Sequence, residues 1–426
     1  MGSRDAVIYA WWVVVVLTLA YITAFLDRQI LSLLVQPIKK DLGISDVQIG
    51  LLQGLAFAIF FSTCVLPAGW MIDRFNRRNV LAVGLAMWCA MTVLCGLAQN
   101  YEQMFVARMG VGVGEAVLGP ATLSLIGSYF DRKRIALAIS VNAVGGSLGA
   151  GLAYIFGSLA ERLANSGAAM IPGLSGLHPW QAAFVIVGFP GLLILVLVLT
   201  IREPKRGTAV AVTVRARRFI LDRWQFFLFY CLGIGFLTTV SYANMAWIPT
   251  MYLRVHRWPT AYTAQWLGGM MLLFGTAGIL AGGLGSIKLR AKYRDATFRI
   301  GCGIGLALAP LCAAAALVPD PYVGLGLYAV FTFISTSFVS LGPTSLLLVT
   351  PGHMLGRVSS VTTIPVTIIG VSLGPVFVAF LTDKLFADES KIAWSLGLGS
   401  GALALLAGIF LFLGLAHFRE ALDAAE

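Results

Sequence analysis

Hydrophobic residues run along this chain in long unbroken stretches. Segments such as 184–201 are apolar on every face, the pattern of a helix surrounded by lipid. A strand in a lipid-embedded barrel needs about 10 residues of alternating polarity, and that pattern does not recur here. Stretches of 18 or more apolar residues repeat along the whole length, each long enough to cross a hydrocarbon core about 30 Å thick. Breaking the sequence at charges, Pro and Gly clusters predicts twelve spans, near 8–36, 47–72, 79–99, 101–129, 133–160, 180–201, 219–253, 260–287, 295–318, 320–350, 354–385 and 392–418. The first apolar run is not followed by a small-residue cleavage site, so 8–36 reads as a retained helix. The connection 202–218 is basic and poor in long apolar residues, which marks a linker. The expected architecture is an all-α polytopic membrane protein: a six-helix bundle over 1–203, a linker over 204–218 and a second six-helix bundle over 219–426.

Composition agrees with that pattern and removes several function classes. With 58% hydrophobic and only 12% charged residues, the chain has too little polar surface to cover a soluble globule. The net charge of +11 sits in short clusters between spans, as juxtamembrane charge does, and no nucleic-acid-binding module accompanies it. Placing both termini in the cytoplasm puts 21 Lys and Arg residues on the inner side and seven on the outer. The positive-inside rule favours that topology, which requires an even number of spans; the expected location is a multi-pass place in a bacterial inner membrane. Six scattered cysteines show neither metal-ligand spacing nor a disulfide framework. No HExxH, GxSxG or Walker loop occurs in a suitable context, so an enzyme is not expected, nor a cofactor beyond a coupling proton. The expected partners are the bilayer and a small-molecule substrate, and the expected state is a monomer.

The two halves carry matching motifs. Leu118-Gly119-Pro120 recurs as Leu341-Gly342-Pro343, and Gly145-Gly146-Ser147-Leu148-Gly149 recurs as Gly370-Val371-Ser372-Leu373-Gly374, at offsets of 223 and 225 residues. Arg132 and Arg357 are also 225 apart, each preceding its glycine motif. Parallel repeats of this kind build many secondary transporters.

Charges within the spans point to chemistry, because an ionised group near the bilayer centre costs at least ~2.5 kcal/mol on insertion scales. Four lie well inside a span, away from its ends: Asp27, Arg28, Arg108 and Glu115. At 1.5 Å per residue, counting from Tyr101, Arg108 lies roughly 10 Å deep and Glu115 roughly 21 Å, seven residues apart on one helix face. Counting back from Pro37 puts Asp27 roughly 15 Å deep. Burial and neighbouring guanidiniums act on a carboxyl group in opposite senses, and that balance can make a proton switch. The expectation is that Asp27 or Glu115 takes up a proton and releases Arg28 or Arg108 to hold an anionic group of the substrate. A permanently paired structural cluster is the alternative.

Between the second and third spans, Gly69-Trp-Met-Ile-Asp73-Arg74-Phe-Asn-Arg77-Arg78 resembles the signature loop of the major facilitator superfamily. It predicts a cytoplasmic gate of Gly69, Asp73, Arg74, Arg77, Arg78 and Arg132, in which Gly69 admits a close helix and Asp73 accepts bonds from a helix N-terminus or a basic group. Phe25-Leu26-Asp27-Arg28-Gln29 followed by Gln36-Pro37-Ile38-Lys39-Lys40-Asp41 resembles the start of the spinster branch of that superfamily, and the resemblance continues through 108–120 and Trp247-Ile-Pro249. It implies two pseudo-symmetric six-helix bundles working by alternating access. It also implies a carrier of lysophospholipids or sphingoid phosphates, with Asp27, Arg28, Arg108 and Glu115 as functional groups. Tyr242, Asn244 and Trp247 are candidate substrate contacts in the seventh span, packing being the other reading. A carrier of a small aromatic or sugar acid would keep the same fold and the same arginines.

Overall fold

The computed structural model describes residues 3–130, 134–167, 176–204, 213–351 and 354–424. Arg132 and most of the basic linker lie outside the described residues.

Twelve helices among the described residues are long and apolar enough to cross a membrane: Val7–Leu33, Asp46–Arg74, Arg77–Leu97, Tyr101–Tyr129, Leu137–Leu159, Pro179–Leu199, Trp224–Arg254, Thr260–Arg290, Ala296–Leu317, Pro321–Val349, Leu355–Phe386 and Glu389–Asp423, numbered here as spans 1 to 12. The first span stops at Leu33, short of the expected 36, and the chain continues as a separate short helix, Val35–Leu42. Pro37 belongs to that second helix, so Asp27 is roughly 9 Å from the end of its span by helix rise, level with Arg108.

Several spans are broken. Span 4 consists of Tyr101–Glu115 and Leu118–Tyr129 with a turn between, so Glu115 closes the first segment. Pro120 has no N–H with which to continue the ladder across the break. The repeat of this motif in span 10 coincides with a second break: a tight helical turn at Phe338–Ser340 precedes Leu341–Val349, which contains Pro343. Single wide helical turns interrupt span 8 at Met271–Gly275 and span 11 at Ile368–Ser372.

The glycine repeats also have equivalent roles. In span 5, a Cβ on Gly149 would lie 2.8 Å from the Ile22 carbonyl and from Phe25 Cβ, so this glycine lets span 5 lie against span 1. In span 11, a Cβ on Gly374 would lie 2.5 Å from the Thr239 carbonyl and 2.8 Å from Ala243 N, so span 11 lies against span 7 in the same way. Small residues at these positions allow backbone-to-backbone packing where lipid supplies no hydrophobic drive.

By packing, the chain forms two compact units. The first comprises 1–45, 56–209 and 259–272, and the second 46–55, 210–258 and 273–426. The start of span 2 therefore belongs to the second unit, where Gly50 and Gly54 meet the backbone of span 11 at Pro375 and Ser372. The first half of span 8 belongs to the first unit, where Gly268 packs on Gly151 of span 5.

Candidate functional site

Within the first unit, spans 1, 2, 3 and 4 bring the four predicted membrane charges together. Asp27 is fully buried, and Arg108 and Glu115 are each 1% exposed. Arg28 Nε donates to Glu115 Oε2 at 2.8 Å, and Nη2 donates to the same oxygen. Arg108 Nη1 donates to the backbone carbonyl of Asp27 at 3.1 Å. The four charges therefore do not form two equivalent pairs. Glu115 holds Arg28, while Arg108 fastens span 4 to the backbone of span 1. Among the described residues, Glu115 Oε1 and both Asp27 carboxylate oxygens lack a hydrogen-bond partner. A buried polar oxygen left in this way costs free energy comparable to a lost hydrogen bond.

Arg28 has a second set of contacts. Its guanidinium lies 4.3 Å from the ring centroid of Phe57, 5.2 Å from Phe25 and 5.5 Å from Phe61. Phe57 and Phe61 stack on each other one helical turn apart in span 2. The cation is thus solvated by aromatic faces on one side and by a carboxylate on the other. This corner has both a charge and an apolar wall. Span 2 is held against span 4 by Gly112, where a Cβ would lie 2.5 Å from the Phe57 carbonyl.

The residues expected in span 7 belong to the second unit. Trp247 is fully buried, and its Nε1 donates to the Pro375 carbonyl at 2.9 Å. Asn244 Nδ2 donates to Val240 O at 2.8 Å and to Ser400 Oγ at 3.1 Å, an interhelical bond to span 12. Tyr242 is half-buried. In this geometry Trp247 presents no surface, and Asn244 offers only Oδ1, which has no partner among the described residues.

The loop between spans 2 and 3 holds most of the residues expected to form a cytoplasmic gate. No atom among the described residues lies within 4 Å of a Cβ built on Gly69. Asp73 and Arg74 are exposed, with the Arg74 guanidinium 4.5 Å from the Trp70 ring. Arg77 is instead buried in a hub. Its Nε donates to Glu203 Oε1 at 2.7 Å, Nη1 to Ser128 Oγ at 2.7 Å and Nη2 to the Pro204 carbonyl at 2.8 Å. Arg78 N donates to Glu203 Oε2 at 3.3 Å. Glu203 thus joins the end of span 6 to the start of span 3.

A further buried pair lies within the second unit. Arg254, at the end of span 7, bonds both oxygens of Asp46 at 2.5 and 2.7 Å, with side chains 8% and 0% exposed. Asp383 accepts from Val47 N at 2.8 Å beside it. In the sequence, the available signal was an acidic residue opening one span and a basic residue closing another.

A twelve-span helical bundle with an internal duplication, and with paired charges buried at membrane depth in one unit, is the build of a membrane carrier. The Major Facilitator Superfamily model matches residues 17–375, and the chain belongs to that family of transporters, which are not enzymes. Among relatives, it is 26% identical to an MFS-type efflux pump of Mycolicibacterium smegmatis, over 96% of this chain and 94% of that protein. It is 27% identical to Protein spinster of Drosophila melanogaster, over 76% of this chain and 53% of the relative. A probable L-galactonate transporter of Escherichia coli is 24% identical, over 62% of this chain and 58% of the relative. A bacterial homologue of the human lysosomal transporter spinster, solved in an inward-facing and unoccupied conformation, shares the fold with a TM-score of 0.80 at 24% identity, covering 98% of both chains.

Proposed function

We propose that this chain is a secondary active transporter of an amphipathic anion, a lysolipid or sphingoid-phosphate-like molecule, coupled to protons. The observation that carries this reading is Arg28: one guanidinium bonded to Glu115 and faced by Phe25, Phe57 and Phe61. An anionic head group that displaces Glu115 meets the cation, and its hydrocarbon chain meets the rings. A proton on Glu115 removes the charge that holds Arg28, so proton uptake frees that cation for the anionic group of the substrate. Asp27, fully buried beside Arg108, is the second proton-carrying group. Arg108, committed to the Asp27 carbonyl, positions span 1. Gly69, Asp73, Arg74, Arg77, Arg78 and Arg132 make up the cytoplasmic gate in this reading, with both termini on that side as the charge bias favours.

A sugar-acid substrate is the rival reading, favoured by the likeness to the L-galactonate transporter. A polyol is better matched by hydrogen-bonding side chains than by three phenyl rings, and the corner around Arg28 offers rings. The test is flux into liposomes containing the purified protein, with labelled lysophospholipid and galactonate supplied separately and in competition, with and without a pH gradient. Saturable, gradient-dependent lysolipid flux that loses its pH dependence in Glu115→Gln is expected. Galactonate flux insensitive to lysolipid, or unchanged pH dependence in both Glu115→Gln and Asp27→Asn, would overturn the reading.

A further inference from the structure

Beside the loop that joins spans 3 and 4 lies a groove of about 480 Å³, walled by Leu94, Leu97, Ala98, Val106 and Ala107 with Glu102 at its rim. Two small residues form the concavity: Ala98 and Ala107 are buried, while Leu94, Leu97 and Val106 stand up around them, 46%, 46% and 61% exposed. The volume falls within the roughly 300–1,000 Å³ of sites that take a single chain-sized ligand. The lining is almost wholly apolar, with polarity confined to the rim at the start of span 4. There the polar groups are already engaged, since Gln103 Oε1 accepts from Gln99 N at 2.8 Å and Asn100 Oδ1 accepts from Gln103 N at 2.9 Å. Glu102 differs from its neighbours. It is exposed in the first turn of the helix, where the partial positive charge of the helix end favours an anion, and no cation pairs with it among the described residues.

From these features we infer that the groove between spans 3 and 4 is a binding site for a membrane phospholipid with a primary ammonium head group, its acyl chain in the groove and its ammonium on Glu102. The bilayer supplies hydrocarbon to any lipid-facing surface, so the groove alone selects no particular lipid. The rim carboxylate does select, because a primary ammonium brings three N–H donors to it and a trimethylammonium brings none. The bound chain packs against Ala107, the residue before Arg108, and so braces the helix segment that carries that guanidinium.

The test is lipid retention, measured by native mass spectrometry on protein released from membranes holding equal phosphatidylethanolamine and phosphatidylcholine with identical acyl chains. An exposed ion pair predicts a roughly two- to five-fold preference for phosphatidylethanolamine. Glu102→Gln is expected to erase the preference while leaving phosphatidylcholine retention unchanged, and Glu102→Asp to keep it. Val106→Trp, which crowds the groove from an exposed wall, is expected to lower retention of both lipids. Equal retention of the two lipids by the unaltered protein would overturn the inference. So would a preference that survives Glu102→Gln, or retention that Val106→Trp leaves unaltered.

Discussion

Gly110 and Gly114 lie one turn apart in span 4 and face span 3, yet the structure separates them sharply. A Cβ on Gly114 would lie 2.8 Å from Trp88 N, 2.9 Å from the Gly84 carbonyl and 2.9 Å from Trp88 Cβ. Two of those atoms are backbone, and the third belongs to a fully buried Trp88. A Cβ on Gly110 would lie 2.6 Å from Cγ and Sδ of Met91, the far part of a flexible side chain. Gly114→Ala therefore forces spans 3 and 4 apart, at the roughly 1–3 kcal/mol typical of overpacking. Gly110→Ala is absorbed by a rotamer change of Met91, and helix propensity returns up to about 1 kcal/mol. At about 2–4 °C per kcal/mol for a unit of 150–250 residues, Gly114→Ala should lower the apparent melting temperature by several degrees. Gly110→Ala should leave it unchanged or raise it. Because Gly114 precedes Glu115, its variant should also weaken substrate affinity, through movement of the carboxylate that holds Arg28. Thermal unfolding of the two detergent-solubilised variants, followed by tryptophan fluorescence, gives the comparison. Equal shifts would refute the reasoning, since the difference rests wholly on backbone versus side-chain neighbours.

Three further outcomes follow from the charged groups. Glu203→Gln removes the charge on which Arg77 is seated, in a pair 5% and 23% exposed. Because Arg77 keeps its bonds to Ser128 and the Pro204 carbonyl, the loss should fall near the low end of the roughly 3–5 kcal/mol for breaking a buried pair. A loss below about 1 kcal/mol in chemical denaturation, the worth of a surface pair, would contradict that. Arg254→Ala should be strongly destabilising because Asp46 is fully buried, and adding Asp46→Asn should restore much of the loss; additive effects in this double-mutant cycle would exclude the coupling. At the start of span 9, burial pushes the Asp295 carboxyl up, but hydrogen bonds and charge from Arg299 and Arg419 outweigh it and hold the group below the usual carboxylate range. A depressed folded value means the stabilisation is complete above the unfolded value of about 3.9 and is lost as pH falls through the folded one. The stability advantage of the unaltered protein over Asp295→Asn should thus hold at pH 6–7 and shrink below about pH 4. A gap that stays constant down to pH 3 would rule this out.

How much of this was legible in the sequence depends on the range over which each feature is set. Spans are local properties of about twenty residues in a solvent that tolerates little polarity; twelve were expected, and twelve helices among the described residues are long and apolar enough. Boundaries were less legible: the first helix stops at Leu33, where Pro37 lacks the N–H that would bond the Leu33 carbonyl four residues back, yet Pro37 was read as the outer end of the span. The breaks in spans 4 and 10 had a visible cause in Pro120 and Pro343, yet those residues were read as repeat markers rather than as interruptions. Burying Asp27, Arg28, Arg108 and Glu115 has a cost evident from position alone, so their grouping was predictable. Which charge meets which was not: a pairing of two guanidiniums with two carboxylates is set by side-chain reach between helices 87 residues apart in sequence. Arg77 with Glu203 and Arg254 with Asp46 join residues 126 and 208 apart, and both arginines had the composition of ordinary loop charges. Charge inside an apolar run therefore marks a buried cluster from sequence, whereas charge at a helix end acquires meaning only from the helix that tertiary packing places beside it.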